Sequence, residues 1–301
     1  MENILNRLQR GDVIVGDGAL GTMLMQRGLK SGEPPEIFNL SKPQILEEIA
    51  SLYLDAGSEI ITTNSFGASP LRLQQFSLDK ETESINRSAV EAVRSAVGNK
   101  AYIAGSVGSS GKMLKPLGNA DPKEISASFR RQILALLNAG IDLVCIETMF
   151  DLSEAALAID AARSLDSGIP VMATVTFNNT PQGFFLLTGA SVKDAAAALE
   201  KAGAHIIGSN CGEGAVQMVG IAREFRQHSR LPIAIQSNAG LPSKSDAGLV
   251  YSETPDFVAG KAIEMLDLGV QIIGGCCGTT PDHIRAIRKA VDARRQKPAT
   301  N

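Results

Sequence analysis

A repeated alternation of short apolar segments with longer amphipathic segments runs through the chain of 301 residues and limits the folds open to it. The apolar segments are rich in Val and Ile and are bounded by Gly or polar residues, which is typical of a parallel sheet covered by helices on both faces. The pattern therefore indicates an α/β protein. Eight strands are predicted near Val13–Asp17, Glu59–Thr63, Ala101–Ser106, Asp142–Glu147, Pro170–Thr176, His205–Asn210, Pro232–Gln236 and Gln271–Gly275.

Segments with helical spacing of apolar residues lie between these strands. Thr254 is followed by Pro255, an N-cap and first-turn pair that marks a helix start, and Thr280-Pro281 repeats the signal. Helices are predicted over Lys42–Asp55, Pro122–Asn138, Ser153–Leu165, Ser191–Ala202, Thr254–Leu268 and Asp282–Val291.

A weak internal repeat supports the count of strand and helix pairs. In each copy a Gly ends a helix, as in a left-handed C-cap, and a buried strand begins within about three residues. The copies begin at Ala56-Gly57, Ala139-Gly140, Ala202-Gly203 and Leu268-Gly269. Eight alternations predict a single (β/α)₈ TIM barrel over residues 1–295, with a C-terminal tail at 296–301; a doubly wound open sheet is the alternative.

Composition and charge exclude several classes of function. The formal net charge is −3 and there is no basic stripe to neutralise phosphates, so no nucleic-acid partner is expected. There is no apolar run of about 20 residues, so no membrane span is expected. The first residues lack the apolar core of a signal peptide, and we expect a cytoplasmic protein.

Unusual polar residues recur where the predicted strands end. In a TIM barrel the catalytic groups lie at the carboxyl ends of the strands, so these residues are candidates for one site. They are Asp17, Ser106, Glu147, Asn210, Cys211, Asn238, Cys276 and Cys277.

Three of the four cysteines fall on this predicted rim, whereas Cys145 lies inside a strand and is interpreted as a packing residue. Thiolates at Cys211, Cys276 and Cys277 would give Zn²⁺ three ligands and leave a fourth position open, which is the catalytic pattern. Glycines flank Cys276-Cys277, and they permit the irregular backbone that two adjacent ligands need. Small residues in a tight turn, or a redox pair, are the alternatives.

The ligand type indicates the chemistry. Three anionic sulfurs make zinc a poor Lewis acid for water, but a coordinated substrate thiol is still deprotonated near neutral pH. A bound thiolate remains nucleophilic. The three cysteines therefore predict alkyl transfer to a thiol.

Five segments carry a resemblance to the homocysteine S-methyltransferase family. The resemblance extends over about Leu8 to Arg294. The segments are Asp17–Thr22, Glu147–Asp151, Asn210–Gly214, Asn238–Pro242 and Gly274–Pro281. The resemblance implies a barrel whose Zn²⁺, held by Cys211, Cys276 and Cys277, binds homocysteine as a thiolate to give methionine. It also implies that Asp17 and Glu147 hold the substrate amino group.

Other residues of the candidate substrate site leave alternatives open. Ser106 lies in the stretch Gly105–Gly111, whose N–H groups would reach the substrate carboxylate unless the stretch is a mobile loop. Asn238 offers its amide oxygen to zinc when substrate is absent, or bonds the loop backbone. Asn210 is interpreted as structural.

The resemblance is strongest to the homocysteine module of the cobalamin-dependent methionine synthase branch. Those enzymes carry further modules after the barrel, so for this chain we expect a methylated corrinoid protein or methylcobalamin acting in trans. A small donor such as S-methylmethionine is the alternative, although a quaternary ammonium site needs an aromatic cage and the chain has 4% aromatic residues and no Trp.

Two hypotheses of other classes remain open. They are a barrel for a phosphorylated substrate and a non-catalytic zinc- or thiol-binding subunit.

Overall fold

A main sheet of eight parallel strands and two short hairpins make up the β structure of the computed structural model, which describes residues 1–245 and 248–295. The predicted tail at 296–301 lies outside the described residues. The strands are β1 Ile14–Val15, β2 Ile60–Thr62, β3 Tyr102–Val107, β4 Leu143–Met149, β5 Val171–Val175, β6 Asn178–Thr180, β7 Gly183–Phe185, β8 Ile206–Cys211, β9 Ile233–Ser237, β10 Ser243–Ser245, β11 Gly248–Val250 and β12 Ile272–Gly275.

The main sheet closes on itself. Its strand order is β1-β12-β9-β8-β5-β4-β3-β2, and the first and last strands are joined where the Glu59 N–H donates to the Val15 carbonyl at 2.7 Å. Beyond that bond the Asp17 carboxylate continues the seam, because Oδ2 accepts from Thr62 N at 2.7 Å and Oδ1 accepts from Thr62 Oγ1 at 3.0 Å. The predicted (β/α)₈ barrel is confirmed, and the doubly wound open sheet is excluded.

Helices surround the barrel and follow the strands along the chain. Gly140 and Gly203 adopt the left-handed conformation directly after two of them, which confirms the C-caps that the repeat predicted. The helices are α1 Ile4–Gln9, α2 Gly21–Gln26, α3 Phe38–Ser41, α4 Pro43–Asp55, α5 Pro70–Leu73, α6 Thr82–Val97, α7 Pro122–Ala139, α8 Leu152–Leu165, α9 Val192–Ala202, α10 Ala215–His228, α11 Pro255–Asp267 and α12 Pro281–Arg295.

The barrel interior changes from apolar to polar towards the carboxyl ends of the strands. Its lower part is a buried cluster that includes Ile14, Ile60, Leu143, Cys145, Met172 and Ala234. Because side chains alternate along a strand, residues two or four positions further on face the interior again. These inward positions are Gly16, Thr62, Ser106, Glu147, Thr174, Asn210, Gln236 and Gly274.

Two features of the loops were not predicted from the sequence. The antiparallel hairpins β6–β7 and β10–β11 extend the connections that follow β5 and β9. None of the helices within the described residues is both long and apolar enough to cross a membrane.

Candidate metal and substrate site

A cavity of about 480 Å³ opens at the carboxyl ends of the barrel strands. It brings together predicted site residues from five different strands or their ends, as the barrel geometry requires. Its wall includes Asp17, Ser106, Glu147, Cys211, Cys276 and Cys277, and further residues that the sequence did not single out, among them Glu36, Phe66, Arg72, Phe76 and Gln236.

The sulfur atoms of Cys211, Cys276 and Cys277 all lie within 4.8 Å of one another. Within the part of the chain that the structure describes, this is the one group of three or more His, Cys, Asp or Glu side chains close enough to share a metal ion. Cys211 ends β8 and the other two follow β12, and β9 lies between these strands in the sheet. The cluster therefore spans three neighbouring strands.

Irregular backbone aims the three sulfurs at one point. Cys211 has φ = 67°, a left-handed conformation that is uncommon outside glycine. After β12 the chain turns sharply, with the Cys276 N–H donating to Ser237 O at 2.7 Å and Thr279 Oγ1 donating to Cys276 O at 2.7 Å. Gly275 permits this turn, because a Cβ there would lie 2.2 Å from Thr279 Oγ1.

The thiol groups perturb one another strongly. Hydrogen bonds from Cys276 and Cys277, with a smaller effect of Asn238, lower the pKa of Cys211, whereas bonding to Cys211 raises the pKa of Cys276 and of Cys277. Three thiolates this close repel one another unless a cation lies between them. The set of three soft donors therefore fits a divalent ion such as Zn²⁺.

Asn238 lies beside this cluster. Its amide Nδ2 donates to Gly212 O at 2.6 Å, so it bonds the loop backbone, as one of the two sequence interpretations had it. Its Oδ1 is buried and has no hydrogen-bond partner among the described residues. A buried amide oxygen without a partner costs about 1–3 kcal/mol, and an electrophile such as a metal ion would satisfy it.

Asp17 lies two residues past β1, and its side chain is 5% exposed as part of the cavity wall. Burial raises its pKa to about 6, although the two hydrogen bonds from Thr62 lower it in part. Both carboxylate oxygens already accept a hydrogen bond, so Asp17 offers its remaining lone pairs and its charge to a ligand.

Glu147 lies within β4 and not at its end, because a bulge between Ile146 and Met149 extends the strand. Its Oε1 accepts a hydrogen bond from Ser106 Oγ at 2.5 Å. Burial raises the pKa of Glu147 to about 7, with a contribution from the negative charge of Asp17, while Ser106 lowers it. An elevated pKa of this kind in a cleft marks a candidate functional residue. Ser106 thus contacts Glu147, a predicted substrate-binding residue, directly.

Gln236 is a cavity residue that the sequence analysis missed. It faces the interior from β9, is 7% exposed, and has a buried Oε1 without a hydrogen-bond partner in the described chain. The strand alternation, counted two residues on from buried Ala234, was a signal that would have found it.

The outer part of the cavity was missed as well, because Glu36, Phe66, Arg72 and Phe76 come from a loop and short helices of three or four residues without a sequence pattern. Glu36 is 4% exposed and accepts from the Gly67 N–H at 2.6 Å. Cys145, by contrast, is confirmed as a packing residue, since it is buried in the lower barrel core.

Comparison with known proteins now defines the class. A sequence model described as homocysteine S-methyltransferase matches residues 14–291, and the chain belongs to this family of methyltransferases. Among the relatives, the methionine synthase of Mycobacterium leprae (strain TN) is 34% identical over 298 residues, and that of Mycobacterium tuberculosis (strain ATCC 25618 / H37Rv) is 32% identical over 298 residues. Both alignments cover 93% of this chain and 24% of the relative, so the chain spans about a quarter of their length.

Solved structures confirm the fold. The metallated form of the homocysteine methyltransferase MmuM from Escherichia coli superposes with a TM-score of 0.78 at 23% identity, covering 94% of this chain and 97% of that one. The apo form of the same protein gives a TM-score of 0.72. A type I 3-dehydroquinate dehydratase from Clostridium difficile gives a TM-score of 0.55 at 10% identity and matches in fold alone.

Proposed function

We propose that this chain transfers a methyl group to the thiol of homocysteine, giving methionine, with residues 1–295 as the homocysteine-binding barrel. The observation that carries the proposal is the cluster of three cysteine sulfurs within 4.8 Å, in the same cavity as two carboxyl groups, the buried Asp17 and the half-buried Glu147. A thiol amino acid presents a sulfur and an ammonium group, and the cavity offers a counterpart to each.

Cys211, Cys276 and Cys277 would hold one Zn²⁺, and the buried Asn238 Oδ1, which has no hydrogen-bond partner among the described residues, would be a further donor when substrate is absent. When bound, the zinc ion supplies a Lewis acid that keeps the homocysteine sulfur deprotonated near neutral pH. The three cysteines come from strands that the sheet hydrogen bonds hold in register, so they supply a preformed set of donors.

Glu147 and Asp17 would bind the substrate ammonium group. Asp17 is buried and Glu147 is half-buried, and removal from water disfavours their charged forms. An ammonium ion beside them favours the charged carboxylates. The positive charge of the substrate therefore offsets the cost of removing the two carboxylates from water. Ser106 orients Glu147 through its hydrogen bond to Oε1 and leaves Oε2 to face the ligand.

The methyl step is a direct displacement. The homocysteine sulfur forms a bond to the methyl carbon while the bond from that carbon to the donor breaks, and the bonding electron pair leaves with the donor. The donor reaches the site through the open mouth of the cavity. We propose a methylated corrinoid, presented by a protein in trans, and the relatives named methionine synthase support this choice.

A small zwitterionic donor such as S-methylmethionine is the second candidate, and the outer cavity favours it. Arg72 and Glu36 there would meet a carboxylate and an ammonium group, beside the ring of Phe66. A zinc- or thiol-binding subunit without activity is the third hypothesis, and turnover assays separate it from both.

The decisive experiment compares two cysteine variants. Cys277→Ser should lose both zinc retention and methyl transfer, because two thiolates and a hydroxyl bind Zn²⁺ weakly. Cys145→Ala is the matched control, since it removes the cysteine of the barrel core and should retain one zinc per chain. Full activity of metal-free Cys277→Ser would refute the scheme.

A donor panel then identifies the methyl source. Homocysteine and zinc are supplied with methylcobalamin, S-methylmethionine, betaine or methylfolate, and methionine is measured. Turnover with methylcobalamin supports the corrinoid proposal, turnover with S-methylmethionine alone supports the second candidate, and no turnover with any donor leaves the binding subunit.

A further inference from the structure

Asn210 joins the two halves of the candidate site. It precedes Cys211 on β8, is fully buried, and faces the barrel interior. Its side chain contacts residues of β4, β5 and the turn after β12. From the sequence Asn210 was interpreted as structural, whereas its hydrogen bonds indicate a more specific role.

The orientation of the Asn210 amide is fixed by its partners. Its Oδ1 accepts from the Thr148 backbone N–H at 2.8 Å and from Thr174 Oγ1 at 2.8 Å. A backbone N–H is a donor and nothing else, so the oxygen must face Thr148 N. The Nδ2 group therefore faces the other way, where it donates to Thr148 Oγ1 at 2.7 Å and to Cys276 Sγ at 3.9 Å.

Thr148 needs such support. It has φ = 58°, which is uncommon for a β-branched residue, and it lies in the bulge of β4 directly after Glu147. A left-handed residue of this kind is strained and persists where its surroundings hold it. Asn210 holds Thr148 through one hydrogen bond to its backbone N–H and one to its hydroxyl. These bonds also hold the strand segment that carries Glu147.

We propose that Asn210 is a positioning residue that couples the metal-binding sulfurs to the ammonium-binding carboxyl group. It donates to Cys276 Sγ, which stabilises negative charge on that sulfur, and it fixes the bulge that sets the direction of Glu147. The inference rests on the proposed function, since it assigns Cys276 to the metal and Glu147 to the substrate. Outer groups that hydrogen-bond metal ligands typically change affinity by about 10–100-fold.

Two variants separate the two roles. Asn210→Asp keeps an oxygen for Thr148 N but puts an oxygen in place of the donor to Cys276. Its Zn²⁺ dissociation constant, measured by competition with a chelator, should rise about 10–100-fold, and the thiolate charge-transfer absorption of bound Co²⁺ should shift. Its dissociation constant for methionine at saturating zinc should stay within about threefold of the native value, because one carboxylate oxygen still accepts from Thr148 N and the Thr148 hydroxyl can donate to the other.

Asn210→Ala removes both contacts, so zinc affinity and methionine affinity should both fall. Ser209→Ala is the matched control: it removes an equally buried hydrogen bond of β8, from Ser209 Oγ to Val175 O at 2.8 Å, without a cavity contact. It should leave both constants within about twofold of the native values.

Three results would overturn the inference. They are an unchanged zinc affinity and Co²⁺ spectrum in Asn210→Asp, an unchanged methionine affinity in Asn210→Ala, or losses in Ser209→Ala equal to those of Asn210→Asp. Failure of the native protein to bind zinc would instead refute the proposed function, so the two failures are distinguishable.

Discussion

Glu147 and Asp17 carry a direct consequence of their burial. Their pKa values of about 7 and about 6 mean that both groups gain protons as the pH falls towards 5. An ammonium ligand needs them charged, so its affinity is low when they are protonated and increases as the pH rises through these pKa values. The direction of the pH dependence follows from the sign of the pKa shifts, since a raised carboxyl pKa favours binding of a proton over binding of the ammonium ligand.

Methionine is the suitable probe of this effect, because it has the amino acid head group of homocysteine and no thiol proton. We expect its dissociation constant, measured by calorimetry, to fall at least about tenfold between pH 5 and pH 8, which is one pKa unit of differential interaction or more. Glu147→Gln should bind more weakly at pH 8 and show a flatter profile. A pH-independent constant in the native protein would contradict the assignment of both acids.

Particular residues show how far the sequence alone could predict the site. The cysteine cluster was predictable because Gly274-Gly275-Cys276-Cys277-Gly278 combines metal-binding side chains with the backbone freedom they need. Glu36 was not identifiable, because a single polar residue in a proline-rich loop has no spacing to distinguish it, whereas Gln236 was missed although strand alternation places it two residues after Ala234. Their importance comes from cavity walls that form after folding.

Elements were predicted well where glycine and capping residues mark their ends, as at Gly140 and Gly203. The ends of strands were less predictable. β1 has two residues although five were predicted, because the Asp17 side chain replaces the backbone ladder opposite Thr62. β4 continues past Glu147 through a bulge. The bulge arises from the pairing of β4 with β5, so the local sequence does not indicate it.

The turn after β12 gives a prediction at the scale of an element. In Gly275→Ala the new methyl group would meet Thr279 Oγ1 at 2.2 Å and Cβ at 2.7 Å. Thr279 would have to move, which breaks its hydrogen bond to Cys276 O and displaces the two sulfurs that follow the strand. We expect zinc affinity to fall at least about tenfold, in line with other losses of support around metal ligands.

Gly260→Ala in α11 is the control for this variant, because nothing lies within 4 Å of the position where its Cβ would be built. Helix propensity should make Gly260→Ala neutral or more stable by up to about 1 kcal/mol, with native zinc affinity. If Gly275→Ala retains zinc as well as Gly260→Ala does, the close approach of Gly275 to Thr279 does not govern the site.

At the scale of the whole molecule, the three cysteines connect strands that are not neighbours. β8 and β12 are separated by β9, so an ion held by Cys211, Cys276 and Cys277 links the barrel across three strands. Binding to the folded state alone raises stability by about 2.7 kcal/mol when free zinc is 100 times its dissociation constant. For a chain of 301 residues this corresponds to a rise in Tm of about 4 °C.

Differential scanning calorimetry with and without a chelator measures this shift. The native protein should lose about 4 °C in Tm when zinc is removed, and Cys277→Ser should show no difference between the two conditions. Equal Tm values for the zinc-loaded and the chelator-treated native protein would show that the ion does not bind preferentially to the folded barrel.

The seam between β1 and β2 has a consequence for protein engineering. Asp17 closes the barrel next to the Glu59 to Val15 bond, and the same carboxylate lies in the cavity wall. A designer who exchanges Asp17 to accept a different acceptor molecule therefore also removes the two hydrogen bonds from Thr62 that continue the seam between β1 and β2. Glu147 and Gln236 lie on strands paired on both sides. Libraries aimed at new thiol substrates should begin at those two positions and leave residue 17 unchanged.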